Sequence, residues 1–388
     1  MTTTADREGI TLLHVVGARP NFMKVAPVLA AGRQHDLVRQ VLVHTGQHYD
    51  AAMSDRFFAD LGLPDPDEHL GVGAGTHAEQ TARIMLGFEP VLERHRPDWV
   101  VVYGDVNSTV ACALVAAKRG VRVAHVEAGL RSRDRSMPEE LNRIVTDQLA
   151  DLLLTPSRDA DRNLEAEGIA TERIRFVGNV MVDTLLTLRA RAAELAMPAQ
   201  CGLVAGHYAF VTLHRPSNVD HPAVLGGLLD GLATIARQMP VVFAVHPRTR
   251  QRMTEHALDA RAGTVQLREP LGYLETIGLV ESAALVITDS GGLQEETTVL
   301  GVPCLTARPN TERPVTITEG TNRLIGSTAA EVIAGFEAAR KSAPTGPRRP
   351  EGWDGKAGRR VLESLLAASG IAPGEPAPSR PEGCSIIL

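Results

Sequence analysis

Several things this chain lacks narrow what it can be. In 388 residues no apolar run approaches the roughly 18 needed for a helical membrane span. Residues 1–9 are polar and carry both charge signs, so the apolar core of a secretory signal is missing and the expected location is the cytoplasm. A formal net charge of −6 gives no global attraction to nucleic acid or an anionic membrane, so an anionic ligand must be captured by local cations. Cysteine is scarce and scattered: Cys112, Cys201, Cys304 and Cys384 form no close pair of the zinc or redox kind. Cys112 and Cys304 sit in apolar contexts and are expected as reduced core thiols. Cys384 lies fifth from the end, where a prenylation box requires fourth, and is read as a free tail cysteine. The histidines show no metal-ligand spacing supported by acidic partners, so no metal is assigned.

What remains is typical of a globular protein, 44% hydrophobic and 22% charged, with enough length for two domains. Short β-rich runs alternate with helical ones. Strands are expected at 10–17, 39–45, 99–104, 121–126, 152–155 and 174–178, with helices such as 78–94 and 138–149 between them. The second of these helices carries a proline in its first turn. The rhythm loosens over 180–206, which holds one Ala-rich helix, and a second series follows at 208–213, 241–245, 264–267, 285–288 and 302–306. This alternation predicts an α/β fold of right-handed βαβ units with mostly parallel, doubly wound sheets. A first domain over 1–180 and a second over 205–345 are expected, with a helix at 355–370 and a disordered tail over 371–388.

Polar clusters fall just after the expected strands, where an open α/β sheet places its ligand. Gly17-Ala18-Arg19-Pro20-Asn21-Phe22-Met23-Lys24 combines a glycine turn with two cations at a helix start, which suits a phosphate. The further glycines of a dinucleotide fingerprint are missing, and a solvated surface turn reads equally well. Asp105 follows the third main strand and Glu127 the fourth. Asp105 also reads as a helix cap, whereas Glu127, next to an otherwise apolar strand, is harder to assign to capping. Glu139 opens the 138–149 helix, where an acidic residue also suits the dipole. His214-Arg215 and His246-Pro247-Arg248 stand at equivalent strand ends and favour an anion site. Thr288-Asp289-Ser290-Gly291-Gly292-Leu293-Gln294-Glu295-Glu296 reads as a strand, a small-residue turn whose amides wrap a diphosphate, and a helix whose Glu295 or Glu296 holds a ribose diol. Arg313 adds a further cation.

Taken in order, the stretches GARPNFMKVAP, HTGQHYD, YGDVNST, HVEAGLRSRDRSMPEELNR, TLHRPSNVD, HPRTR, TDSGGLQEE and TERP strongly resemble the non-hydrolysing UDP-N-acetylglucosamine 2-epimerases. The resemblance runs from about residue 15 to 326, and DGKAGRRVLESL is similar to that family's closing helix. It implies two Rossmann-like domains facing a central cleft, the architecture of the GT-B glycosyltransferases, together with a homodimer and no cofactor. By position, Asp105, Glu127, Glu139 and His214 match the family's catalytic groups. Arg19, Lys24, Arg143, His246, Ser290, Gly291, Gly292, Glu296 and Arg313 match its nucleotide-sugar contacts. The implied reaction inverts C2 of a UDP-N-acetylhexosamine by eliminating UDP to a glycal and adding it back. Activation by the substrate itself is not expected, because Tyr49-Asp50 and Gly73-Ala74-Gly75 depart from the regulated branch. The competing readings are a C2 epimerase of another UDP-N-acetylated sugar, a glycosyltransferase of the same fold, and a non-enzymatic sugar-nucleotide sensor. The several carboxylates of the HVEAGLR and PEELNR stretches favour an epimerase over the last two.

Overall fold

A computed structural model describes residues 9–46, 58–342 and 346–372. Tyr49, Asp50, Cys384 and the expected tail beyond residue 372 lie outside the described residues, as does the side chain of Arg19. Among the described residues thirteen strands build two sheets, and every pairing is parallel. The first sheet contains β1 (Ile10–Val16), β2 (Val38–His44), β3 (Glu68–His69), β4 (Trp99–Tyr103), β5 (Arg122–Val126), β6 (Leu152–Thr155) and β7 (Ile174–Phe176). The second contains β8 (Ala209–Thr212), β9 (Val241–Ala244), β10 (Gln266–Arg268), β11 (Leu285–Thr288), β12 (Cys304–Thr306) and β13 (Asn322–Leu324).

Strand order is 3-2-1-4-5-6-7 in the first sheet and 10-9-8-11-12-13 in the second. Each order reverses once, between β1 and β4 and between β8 and β11. A reversal sends the chain to opposite faces from neighbouring strands and leaves a crevice at their carboxyl ends. The loops after β1, β4, β8 and β11 therefore border that crevice, and these are the loops carrying most of the polar clusters. The strands tolerate burial on both faces because they are short and apolar; Trp99, Val100, Val101, Val102 and Tyr103 are all buried.

One apolar cluster joins the two sheets. It includes Val16, Phe22 and Val126 from the first half, Tyr208, Val286 and Leu293 from the second, and Val182 and Leu185 of the helix Val180–Glu194 between them. Two further clusters cover the outer faces. Near the end of the chain the helix Ala357–Ala368 returns to pack on the helix Arg19–Gly32. Trp353 and Trp99 fix it: Trp353 Nε1 donates to the Pro156 carbonyl at 3.0 Å and Trp99 Nε1 to Ser369 Oγ at 2.9 Å. Both indoles are buried with their N–H satisfied, which lets a large apolar body enter the core without an orphan donor. Two elements escaped the sequence pattern, the two-residue β3 and the polar β13. Cys112 and Cys304 are buried free thiols, as expected. Among the described residues no helix is long and apolar enough to cross a membrane.

Candidate active site

The first sheet contributes a carboxylate-rich wall. Glu127 follows β5 in the left-handed conformation, φ 72°, which a non-glycine residue adopts at a cost of about 1–3 kcal/mol. The turn survives because the amides of Glu127 and Ala128 both donate to Leu154 O, at 3.0 and 3.2 Å. Its effect is to swing the Glu127 side chain out of the strand and onto Lys24, whose Nζ lies 2.8 Å from Glu127 Oε2. Both groups are buried, so the pair is weakly screened. Gly104 makes room for it: a Cβ there would stand 2.6 Å from Lys24 Nζ.

Asp105, the residue after Gly104, pairs with Arg143 Nη2. Burial opposes its ionisation, but Arg143, Lys24 and Arg313 outweigh that and hold its carboxyl below the usual carboxylate range. Arg143 is held in turn by Glu140, whose carboxylate also accepts from Ser132 N at 3.0 Å, Ser132 Oγ at 2.9 Å and Arg133 N at 2.8 Å. Asn142 Nδ2 donates to the Asp105 carbonyl at 2.9 Å and fixes the loop from the same helix. Glu140 thus shapes the turn before the helix Pro138–Leu149 and aims Arg143 at Asp105. Its neighbour Glu139 is half-buried and has no hydrogen-bond or ion-pair partner among the described residues. Sequence reasoning named Glu139 and missed Glu140; two adjacent acids at a helix start give no sign of which one turns inward.

His125 and Arg131, within the HVEAGLR stretch, serve the framework. His125 Nδ1 is 2.7 Å from Asp147 Oδ1 and its Nε2 is 2.7 Å from the Gly104 carbonyl. Arg131 pairs with Asp147 and Glu167, each at 2.7 Å.

The second sheet supplies cations and helix ends. Asp289, at the end of β11, is fully buried and accepts from His214 N, Arg215 N at 2.9 Å and Asn218 Nδ2 at 2.9 Å, while His214 Nδ1 stands 3.0 Å away. Burial would raise this carboxyl, but the His214 charge and these hydrogen bonds prevail and push it down to about 2. Asp289 therefore fixes the imidazole through Nδ1 and leaves Nε2 as the nitrogen free for chemistry. The His246 ring lies 5.5 Å from that of His214, and His246 caps the helix Pro247–Glu255, its Nδ1 accepting from Arg248 N at 3.2 Å. Ser290, Gly291 and Gly292 open the helix Gly291–Leu300, whose first amides and dipole suit an anion. Glu296, in the same helix, accepts from Tyr273 OH at 2.8 Å, and burial pushes its carboxyl up to about 7.

Arg313 ties the two halves together. Its Nη2 donates to Glu127 Oε1 at 3.0 Å, its Nη1 to Glu312 Oε1 at 2.5 Å, and its Nε lies 2.8 Å from Glu295 Oε1. Gly291 is the close-approach position here, since a Cβ would collide with Arg313 Nη1. Glu312 also holds Arg308 at 2.7 Å and lies 3.5 Å from Arg215, so one carboxylate organises three guanidiniums. The structure thus brings Lys24, Asp105, Glu127, Arg143 and Arg313 into one charged network. His214, His246, Ser290, Gly291, Gly292 and Glu296 border the second-sheet side of the crevice, and Glu139 lies outside the network. Sequence reasoning missed the roles of Asp289 and Glu312, and offered Glu295 only as an alternative to Glu296 on a ribose diol. Each sits beside a residue it did single out, and a carboxylate adjacent to a site cation was the available signal. Such an arrangement can bind an anionic group on the second side while presenting paired carboxylates from the first. Among the described residues no cluster of histidine, cysteine and acidic groups fits a metal ion.

This geometry has known counterparts. A family model described as UDP-N-acetylglucosamine 2-epimerase matches residues 30–366. The UDP-N-acetylglucosamine 2-epimerase of Methanocaldococcus jannaschii is 40% identical over 359 residues, covering 90% of this chain and 97% of that protein. The UDP-2,3-diacetamido-2,3-dideoxy-D-glucuronate 2-epimerase of Pseudomonas aeruginosa is 42% identical over 335 residues, covering 85% and 92%. A crystal structure of the M. jannaschii UDP-GlcNAc 2-epimerase in complex with UDP-GlcNAc and UDP superposes with a TM-score of 0.85 at 38% identity, over 92% of this chain and 100% of that one. With the two sheets, the order of the loops and the extent of the match all in agreement, this chain belongs to the UDP-N-acetylglucosamine 2-epimerase family.

Proposed function

We propose that the protein converts UDP-N-acetylglucosamine to UDP-N-acetylmannosamine, by eliminating UDP from C1 to leave a glycal and adding it back to C1 as C2 is protonated on the opposite face. The observation that carries this reading is the pairing of Asp105 and Glu127 with buried cations opposite the amino-terminal end of the helix Gly291–Leu300. The C2 proton is not acidic in the ground state, because no carbonyl adjoins that carbon. As the C1–O bond to UDP breaks, C1 gains oxocarbenium character and the C2–H bond becomes ionisable. A carboxylate takes that proton as the C1=C2 bond forms; a second group then protonates C2 on the other face while the diphosphate oxygen rejoins C1. Asp105, Glu127 and Glu139 share the proton transfers. Lys24, His214, Arg313, Arg19, Arg143 and the amides of Ser290, Gly291 and Gly292 stabilise the departing UDP, with His246 beside His214 and Glu296 on the ribose. The scheme calls on no metal and no redox cofactor. It is supported by the family and by the relatives named for this reaction.

The test is proton NMR of the protein with UDP-N-acetylglucosamine in deuterated water. The manno epimer, deuterated at C2 with UDP attached, is the expected product. Free UDP without epimer or deuterium overturns the reading. A second reading keeps the chemistry and changes the sugar to a diacetamido-uronic acid, favoured by the 42% identity to the P. aeruginosa enzyme. Turnover of that sugar nucleotide far above the N-acetylglucosamine one decides for it.

The units we propose run over 1–180 and 205–345, the first closed by the 355–370 helix, in a cytoplasmic homodimer. Support for the dimer comes from an apolar groove between the helices His77–His95 and Pro138–Leu149, lined by Ala78, Thr81, Ala82, Met85, Pro138 and Leu141, with Leu86 74% exposed nearby.

A further inference from the structure

Glu295 stands one residue before the carboxylate read as the ribose contact, yet it pairs with Arg313, the cation that reaches Glu127. It belongs to the helix Gly291–Leu300 and is 1% exposed. Its Oε1 lies 2.8 Å from Arg313 Nε, while the same guanidinium donates to Glu127 at 3.0 Å. One cation therefore serves a carboxylate from each half of the molecule. The two carboxylates are not equivalent. Glu127 has a second cation, Lys24, in contact at 2.8 Å, whereas among the described residues Arg313 is the one cation in contact with Glu295, Lys24 acting on it from farther off. The charged and titratable groups facing Glu295 are Arg313, Glu127 and Lys24, with Tyr273 and Glu296 on its flank. Glu312 draws on Arg313 from the remaining side.

An anion arriving at the Gly291 amides competes for the Arg313 guanidinium, which a Cβ on Gly291 would touch. As Arg313 turns to that anion, Glu127 and Glu295 lose their common counter-charge in a buried site, where two like charges raise each other's proton affinity. Glu127 keeps its contact with Lys24, whereas no second cation among the described residues is in contact with Glu295. Burial already pushes the Glu295 carboxyl up, against the pull of Arg313 and Lys24 and with the help of Glu127.

We propose that Glu295 is a positioning residue that holds Arg313 between the two halves and takes up a proton from solvent when Arg313 engages the diphosphate, which leaves Lys24 to Glu127. This rests on the nucleotide-sugar reading above. The experiment is titration calorimetry of UDP into the full chain near pH 7.5, in buffers of different ionisation enthalpy, for the wild type and E295Q. Subtracting one from the other removes the protons that the UDP phosphate itself exchanges. The wild type should take up about half to one proton more per UDP than E295Q. E295D, which keeps a carboxyl one methylene shorter, should retain the uptake and decides the matter if E295Q does not fold. Equal proton counts in wild type and E295Q, or no uptake in a folded E295D, overturn the proposal. Absence of UDP binding by the wild type instead overturns the nucleotide reading beneath it.

Discussion

Arg313 donates to Glu127 across 186 residues of chain, from the loop after β12 to the strained turn after β5. The contact fixes how the two halves approach, and it places a cation where a leaving diphosphate needs one. Arg313 also neutralises Glu295 and Glu312, so R313A leaves three buried carboxylates short of a partner. Breaking a buried pair from one side costs about 3–5 kcal/mol. R313A should unfold at markedly lower denaturant concentration and lose most of its affinity for UDP. R313K, which keeps one charge and loses the fork, should recover stability only in part. Urea denaturation and UDP calorimetry on both variants check this.

Asp105 is held ionised against its burial by Arg143 and Lys24. D105N keeps a hydrogen-bond acceptor for Arg143 but removes the proton-transferring group. We expect epimerisation to fall by about 10²–10⁴, with UDP binding near the wild-type level. Deuterium incorporation at C2, followed by NMR, is the readout. Exchange at the wild-type rate removes Asp105 from the chemistry.

The adjacent pair Glu139 and Glu140 separates a role in the reaction from a role in the framework. Glu140 accepts from Arg143, from the Ser132 hydroxyl and from the amides of Ser132 and Arg133, so E140A orphans buried donors and a guanidinium. It should cost about 3 kcal/mol or more of stability. E139Q touches none of those bonds and should unfold like the wild type while losing turnover. Thermal unfolding and activity measured side by side distinguish the two.

Much of the fold is legible in the amino-acid sequence. The alternation of apolar strands and amphipathic helices gives both sheets, because parallel strands buried on two faces must be apolar throughout. The position of polar clusters after β1, β4, β5, β8 and β11 locates the crevice. The two-residue β3 and the Asn322–Leu324 strand are hidden, since edge strands this short carry no pattern. At the site, the chemistry-bearing residue types stand out and their supports do not. Asp289 reads as a strand-end acid until His214, 75 residues earlier, is seen to lean on it. The charge of Glu312 gains its meaning from Arg215 and Arg308, and only the folded chain brings those three together.

Glu296 makes a prediction about pH. Burial raises its folded-state value to about 7 from an ordinary 4.5, so the folded protein binds the proton more tightly than the unfolded chain. The contribution to stability is fully present below about pH 4.5 and is lost as pH rises through 7. On that account about 3 kcal/mol disappears across the window. E296Q, always neutral, should show a shallower decline over the same range. Stability from urea titrations at half-unit pH steps tests it, and parallel curves for the two proteins exclude Glu296 as the source.

The proposed dimer turns on the exposed leucine of the helix His77–His95. Leu86 is 74% exposed, and Leu141 and Val145 on the helix Pro138–Leu149 are 41% and 43% exposed. Scattered exposed leucines mean little, but here two neighbouring helices leave an apolar groove open between them. A second copy that presents the same helices about a twofold axis covers both grooves at once, because an isologous contact is self-complementary. Placing a charge at Leu86 then puts two like charges near that axis or buries each against apolar surface. L86E should shift the protein from dimer to monomer in light scattering coupled to gel filtration, without changing its fold by circular dichroism. The same helix pair carries Asn142 and Arg143, so the monomer should also turn over more slowly than the wild type. A wild type that runs as a monomer, or an L86E variant that remains a dimer, excludes this face as the subunit contact.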